Sequence, residues 1–358
     1  MQRVGVIMAG GGGTRFWPLS RQQTPKQLLN LTGRAPMICE TFDRMARVIE
    51  PGNIYIVTSA LQADGVLEAL AGRTDRSRLL TEPEPKDTAP CIGYAAAVIE
   101  SRHGQSLMLV TPSDHYIRDT DRLTEVWETA LDAAENGDRL VTVGIRPDRP
   151  ATAYGYIRYD TETDAPVRRV FSFHEKPDLE TAARYLSSGD YAWNSGMFIW
   201  RTDTILSRLR EHAPDIADAV SRIGKAVGTQ QEQAVIADAF HQMRRISIDY
   251  AVMEPCAAQD GVLLVPGNFG WNDVGSWDMI EALRQPDSNG NVLLGDALAL
   301  DSRDCVIIAR DRFVSAVDMD GLVIVQTPDA VMVCRKDKAQ NVKKIVEALQ
   351  KAGRTDLL

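Results

Sequence analysis

Residues 9–15 read Ala9-Gly10-Gly11-Gly12-Gly13-Thr14-Arg15, and the segment runs on to Pro25-Lys26. Consecutive glycines present free backbone N–H groups, and Arg15 and Lys26 place two cations close behind them. Backbone that approaches a ligand this closely, beside positive charge, suits a polyphosphate. A tight turn is the plain alternative, because a glycine run alone decides nothing. Two familiar phosphate fingerprints fail here. The dinucleotide fingerprint needs glycine at its sixth position, which is Arg15 counted from Gly10 and Phe16 counted from Gly11. A P-loop ends in Gly-Lys-Ser/Thr, whereas Gly13 is followed by Thr14-Arg15. A nicotinamide-dependent dehydrogenase is thereby disfavoured.

Carboxylates supply the complementary half. Asp114, in "VTPSDHYI", stands directly after an apolar run, at the sheet edge expected for the glycine loop. Asp273, in "GWNDVGSWD", lies between two tryptophans. Taken singly, either is equally a helix cap. A bound polyphosphate brings Mg²⁺, which takes one or two carboxylates and completes its shell with substrate oxygens. "FHEKPD" and "WNSGMF" add Glu175, Lys176 and Asn194. A carboxylate and an amide suit sugar hydroxyls and a lysine suits a phosphate, although Lys-Pro and Asn-Ser-Gly are also ordinary turns.

These groups need a frame that brings distant segments together. Apolar runs at 4–9, 54–58, 107–111 and 140–144 read as buried strands, with helical patterns at 60–70, 89–101 and 123–134 between them. Such alternation implies an α/β fold, a Rossmann-like domain with a mostly parallel central sheet covered on both faces. Loops after the strands of such a sheet are where ligands bind. In the middle, "YGYIRYD", "VRRVFSFHEKP" and "WNSGMFIW" read as strands, "LETAARYLSSG" as a helix, and 202–245 as helical throughout. From residue 289 the texture changes to short β-branched runs broken by Asp, Gly and Arg, closing with the helical "NVKKIVEALQKAG". The domains expected are 1–288 and a small β-rich unit, 289–358, packed on the first.

Composition sets bounds. A net charge of −9 repels polyanions, so nucleic acid is not an expected partner and any phosphate must be held by local groups. No apolar run is long enough for a membrane span, and the N-terminus does not read as a signal peptide. Five scattered cysteines, Cys39, Cys91, Cys256, Cys305 and Cys334, include no Cys-x-x-Cys pair. That fits reduced thiols in the cytoplasm better than a disulfide frame or a zinc site.

Gly-Gly-x-Gly-Thr-Arg-x-Trp-Pro-Leu-Ser-Arg with Pro-Lys-Gln, then Thr-Ala-Pro, Pro-Ser-Asp-His, Glu-Lys-Pro, Trp-Asn-Ser-Gly-Met-Phe and Trp-x-Asp-Val-Gly-Ser-Trp follow one another in this order. The sequence resembles the mannose-1-phosphate guanylyltransferase family, within the sugar-nucleotidyltransferases, from residue 4 to about 283 and more weakly beyond. The resemblance implies that GTP and mannose 1-phosphate give GDP-mannose and pyrophosphate. It implies a triphosphate cradle at Ala9, Gly10, Gly11, Gly12, Gly13 and Thr14, with Arg15 on the departing end and Lys26 at the transferring phosphoryl group. Asp114 and Asp273 would hold Mg²⁺, Lys176 the sugar phosphate, and Gly155, Glu175 and Asn194 the sugar. Asp87 and Thr88 would border the nucleoside. The tail resembles the family's short left-handed β-helix, and the length resembles the short, monofunctional form. A homodimer is the assembly expected. Lys86-Asp87 departs from the Arg-Asn common before Thr-Ala-Pro, and His174 from a common Val. The sugar pocket is the least readable part, so a heptose or fucose 1-phosphate remains a rival substrate. A non-catalytic GDP-sugar-binding paralogue is a further rival, but such subunits typically lose charged site residues that this chain retains.

The chemistry is coherent without the resemblance. A phosphate monoester is mostly dianionic at neutral pH and needs no general base. His103, His115, His174, His212 and His241 accordingly form no evident acid–base pair. Repulsion between anions is the obstacle, and cations with oriented N–H groups must overcome it. Guanine presents N1–H and N2–H₂ side by side, and one carboxylate accepts both. Glu82, in "LLTEPEPKDTAP", stands just after the third strand as the candidate reader, where relatives using thymidine or uridine nucleotides have glutamine. An exposed loop glutamate is the alternative.

Overall fold

The structure is a computed structural model describing residues 1–358. Strand β1 (Gln2–Met8) opens the fold, followed by α1 (Met37–Met45), β2 (Ile54–Ser59), α2 (Ala63–Ala69), β3 (Leu79–Glu82), α3 (Thr88–His103) and β4 (Ser106–Pro112). A short strand β5 (Tyr116–Ile117), α4 (Thr120–Glu135) and β6 (Leu140–Ile145) complete the alternating half. The middle holds β7 (Tyr156–Tyr159), β8 (Arg168–His174), α5 (Leu179–Ser188) and β9 (Tyr191–Arg201). Three helices follow, α6 (Thr202–His212), α7 (Pro214–Ala226) and α8 (Glu232–Gln242), so the helical stretch is broken twice. Then come α9 (Glu254–Ala258), β10 (Val262–Gly267) and β11 (Trp271–Asn272).

The central sheet has nine strands in the order β3-β2-β1-β4-β9-β6-β10-β8-β7. The α/β class stands, but the sheet is mixed. Strands β3, β2, β1 and β4 are parallel, as is β10 to β6. Strand β9 runs antiparallel to both β4 and β6, and β8 antiparallel to β7 and β10. The reason for the last is connectivity: residues 160–167 join β7 to β8 without a helix, and parallel neighbours need a crossover.

Alternate side chains of the inner strands feed opposite cores. Val4 and Val6 with Met108 and Val110 face α3, which lies against α6 and α7. Ile7 with Leu107 and Leu109 face α1, α2 and α4. Helix α3 is apolar nearly all round, from Ala89 to Ile99, as a helix covered on both sides must be.

Beyond residue 288 the chain coils. Strands β12 (Val292–Leu294), β13 (Ala297–Leu300), β14 (Val306–Ala309), β15 (Val314–Val317) and β16 (Leu322–Gln326) alternate between two ribbons. One ribbon pairs β12, β14 and β16 in parallel and the other pairs β13 with β15, so each turn stacks on the last. Strand β17 (Val331–Arg335) closes the first ribbon antiparallel, and α10 (Lys343–Lys351) ends the coil. Val342 and Val346 are buried, and Gly353 follows at φ +69° as the stop.

The coil is fused to the segment behind the glycine loop. Phe16, Trp17, Val274 and Trp277 share one apolar cluster with Val306, Val325, Val342 and Val346. Trp277 is fully buried, its Nε1 donates to the Trp17 carbonyl at 3.1 Å, and the Phe16 ring meets its edge at 4.8 Å. Trp17 Nε1 in turn donates to the Leu357 carbonyl at 2.9 Å. Trp277→Ala therefore removes a packed core side chain and orphans a carbonyl, and it is expected to cost about 3–5 kcal/mol, read as a lower urea midpoint at unchanged slope.

Candidate active site

The loop 9–13 leaves the C-terminal end of β1 and is pinned from beneath. The Ala9 N–H donates to Val57 at 2.7 Å, and its carbonyl accepts from Thr58 Oγ1 at 3.0 Å and Gln27 Nε2 at 2.8 Å. Gln27 also reaches the Gly11 carbonyl at 3.2 Å, and Ser20 Oγ the Gly13 carbonyl at 2.8 Å. Carbonyls are thus drawn inward, while Gly11 borders open space and a Cβ on Gly12 would meet only the Thr14 methyl, at 3.9 Å. Gly13 sits at φ +57°, and a Cβ there would run into the side chain of Lys26 and lie 2.8 Å from its backbone nitrogen. Only glycine fits.

Lys26 is the centre of the site. It is 5% exposed, and its Nζ donates to Asp114 Oδ2 at 2.9 Å and to the Asp273 carbonyl at 2.5 Å. The Tyr154 hydroxyl donates to Asp273 Oδ1 at 2.7 Å. One cleft of about 350 Å³ is lined by Gly13, Thr14, Arg15, Phe16, Lys26, Asp114, His115, Asp273, Gly275 and Lys343. Burial pushes the Asp114 carboxyl up, but the charge and hydrogen bond of Lys26 outweigh it and hold the group below the ordinary value. For Asp273 burial prevails over the Tyr154 hydrogen bond and the charge of Lys26, and its carboxyl lies above. His115 is pushed down to about 4 by burial and by nearby Lys26 and Arg44 against the pull of Asp114. Its Nδ1 accepts from Trp271 Nε1 at 3.1 Å, so it is a neutral support beside the site.

Glu82 ends β3 next to this loop, and a Cβ on Gly10 would lie 3.2 Å from Glu82 Oε2. The side chain is buried and Oε1 has no hydrogen-bond partner. Burial, with the charge of Asp87, raises its carboxyl to about 7. An orphaned acceptor at this depth is costly unless a ligand satisfies it. Asp87 and Thr88 are committed to structure: Asp87 Oδ1 caps α3 through the Thr88 N–H at 2.8 Å, and Thr88 Oγ1 accepts from Ile248 N–H at 2.8 Å.

The other candidates form a second group, away from the Lys26 cleft. The Gly155 carbonyl accepts from the Asn194 N–H at 2.8 Å, and a Cβ on Gly155 would come within 2.6 Å of Glu175 Oε2. Asn194 Nδ2 donates to Asp249 Oδ1 at 2.7 Å. Asp249 opens a π turn, Asp249–Met253, and burial raises its carboxyl to about 6 even against that hydrogen bond. Lys176, at φ +45°, is exposed and pairs with Glu175 Oε1 at 2.7 Å. Tyr154-Gly155 joins the two groups, since Tyr154 holds Asp273 and Gly155 borders Glu175 and Asn194.

The nucleotidyl transferase family model matches residues 4–288, and a MannoseP isomerase/GMP-like β-helix domain model matches 295–349. The mannose-1-phosphate guanylyltransferase of Salmonella montevideo is 39% identical over 359 residues, covering 98% of this chain and 74% of that protein. The chain belongs to the mannose-1-phosphate guanylyltransferase family. The xanthan biosynthesis protein XanB of Xanthomonas campestris pv. campestris is 40% identical over 354 residues, with 98% and 74% covered. A crystal structure from Thermus thermophilus, described as a mannose-1-phosphate geranyltransferase, superposes with a TM-score of 0.87 at 35% identity and covers 98% of this chain and all of that one.

Within this family frame, sequence reasoning overlooked Gln27, Tyr154, Asp249 and Lys343. Gln27 and Tyr154 adjoin the quoted Lys26 and Gly155, so contiguity was the available signal. Asp249 and Lys343 carry none, because only the fold brings them in.

If guanine satisfies Glu82, the carboxylate form is needed, and Glu82 gains its proton as the pH falls through about 7. The specificity constant for GTP, relative to Glu82→Gln, is expected to rise as the pH is raised through about 7 and the carboxylate forms. At high pH, Glu82→Gln is expected to cost GTP roughly 2–3 kcal/mol, the scale of a charged hydrogen bond left unmade, and ITP less because it lacks the 2-amino group. Steady-state kinetics with both nucleotides check this, and equal losses mean that Glu82 does not touch that amino group.

Proposed function

We propose that the chain transfers GMP from GTP to α-D-mannose 1-phosphate, releasing pyrophosphate and GDP-mannose. A phosphate oxygen of the sugar forms the new bond to the α-phosphorus as the bond from that phosphorus to the bridging oxygen breaks, the pyrophosphate keeping the electron pair. The observation that carries this reading is Lys26 held between Asp114 and the Asp273 carbonyl and packed against Gly13 of the glycine loop, in which Gly11 borders open space. Family membership and the relatives' names supply its substrates.

Loop 9–14 receives the triphosphate, Lys26 counters charge on the transferring phosphoryl group, and Arg15 faces the departing end. Glu82 reads guanine, with Asp87 and Thr88 behind it fixing the start of α3. Glu175, Asn194 and the Gly155 backbone take the sugar hydroxyls, and Lys176 releases Glu175 to take the sugar phosphate. Asp114 and Asp273 suit Mg²⁺: both line the cleft, and Asp273 Oδ2 is free of the Tyr154 bond. Two carboxylates leave the remaining positions to phosphate oxygens and water, as this ion prefers. When bound, the ion screens the phosphates from the attacking dianion and stabilises charge on the leaving group. No residue need act as a base, in keeping with a neutral His115.

A cytoplasmic location belongs to the same reading, supported by five unpaired cysteines. No helix is long and apolar enough to cross a membrane. A homodimer is supported by the apolar side chains exposed on the coil, among them Leu298, Leu300, Val331 and Val333; sedimentation checks it.

The deciding experiment is pyrophosphate release from GTP with a panel of sugar 1-phosphates. Mannose 1-phosphate is expected to lead in specificity constant, and a lead by a fucose or heptose 1-phosphate contradicts the sugar assignment. Excess chelator is expected to abolish turnover, and Asp114→Asn and Asp273→Asn each to lower it at least about 10²-fold. Lys176→Ala is expected to raise KM for mannose 1-phosphate more than for GTP; the reverse order would move Lys176 to the nucleotide side.

A further inference from the structure

The wall of the Lys26 cleft is completed by the C-terminal coil. Lys343, the first residue of α10, lines that cleft with Arg15, Lys26, Asp114 and Asp273, although it lies far from all of them in sequence. None of the ion pairs in the structure involves Lys343 or Arg15, whereas Lys26 is committed to Asp114. In a chain of net charge −9, two unpaired cations on one cleft form a local anion site. The sugar group of Gly155, Glu175 and Asn194 is not part of this cleft, whereas Arg15, which the proposed function sets at the departing end of the triphosphate, shares it with Lys343.

The position of Lys343 is fixed by packing. Ala339, Val342 and Val346, on either side of it, are buried in the cluster that holds Phe16 and Trp277. Gln340 Nε2 donates to Ser276 Oγ at 2.7 Å, three residues from Asp273. The turn that carries Arg15 and the helix that carries Lys343 therefore rest on one core.

We propose that Lys343 binds the β- and γ-phosphates of GTP and the pyrophosphate they become, so that the β-helix domain supplies part of the leaving-group site. This rests on the nucleotidyl-transfer reading above. The ammonium donates to pyrophosphate oxygens and, with Arg15, stabilises the charge that grows there as the bond to the α-phosphorus breaks.

The test is calorimetric titration of pyrophosphate with Mg²⁺ into the full-length protein and into Lys343→Ala, Lys343→Arg and Lys344→Ala. Lys344 is also exposed and adjacent but lies outside the cleft, and it reports any general field effect. Lys343→Ala is expected to raise the Kd about tenfold, the scale of one charge-assisted hydrogen bond. Lys343→Arg is expected to restore most of that loss, and Lys344→Ala to behave as the parent. In the reverse reaction KM for pyrophosphate is expected to rise in Lys343→Ala while KM for GDP-mannose holds. An unchanged Kd in Lys343→Ala, or an equal loss in Lys344→Ala, overturns the proposal. A parent protein that binds pyrophosphate through Lys343 yet makes no GDP-mannose refutes the function reading and leaves this one standing.

Discussion

A buried ammonium cannot stand alone, and the site is organised around that constraint. Removing Lys26 from water costs several kcal/mol that must be returned by good partners. They come from two distant segments, the Asp114 carboxylate after β4 and the Asp273 carbonyl after β11. Satisfying one cation therefore brings both carboxylates to the same cleft. The neighbouring Gln27 ties the same turn to the Ala9 and Gly11 carbonyls, so the glycine loop is registered against the carboxylates by adjacent side chains. Pro25-Lys26-Gln27 is thus a joint as well as a motif.

The charge distribution around that joint suits a reaction between anions. Cations are divided by commitment: Lys26 holds the frame, while Arg15 and Lys343 carry no ion pair and are available to phosphate. The carboxylates of the second group, Glu175 and Asp249, lie outside the cleft, so under the proposed function they add no negative charge to the wall that would receive the triphosphate. Glu82 follows a third logic: its raised carboxyl and unpartnered Oε1 are unfavourable in the free protein, and the two guanine donors of the proposed function would satisfy them.

How much of this was legible in the sequence follows from the range of the forces involved. Local propensity and periodicity located the strands of the first half, because buried strands are continuous apolar runs, and β2 spans Ile54–Ser59 against a reading of 54–58. Periodicity says nothing of strand order, so the antiparallel insertion of β9 between β4 and β6 was not visible. The glycine loop, Lys26 and both aspartates were legible as motifs. Asp249 was not, because its relevance comes through Asn194 on a distant strand. Lys343 was hidden for the same reason: a lysine on an amphipathic helix is ordinary until the coil folds it over the cleft.

The central claim is that the Lys26 ammonium both assembles the cleft and counters charge at the transferring phosphoryl group. Its most direct test is the rate of GDP-mannose formation by Lys26→Met at saturating GTP, Mg²⁺ and mannose 1-phosphate. The account predicts a fall of at least about 10²-fold, the loss of one electrostatic catalytic group, in protein that still shows a cooperative unfolding transition. A folded Lys26→Met protein turning over at nearly the parent rate would contradict it.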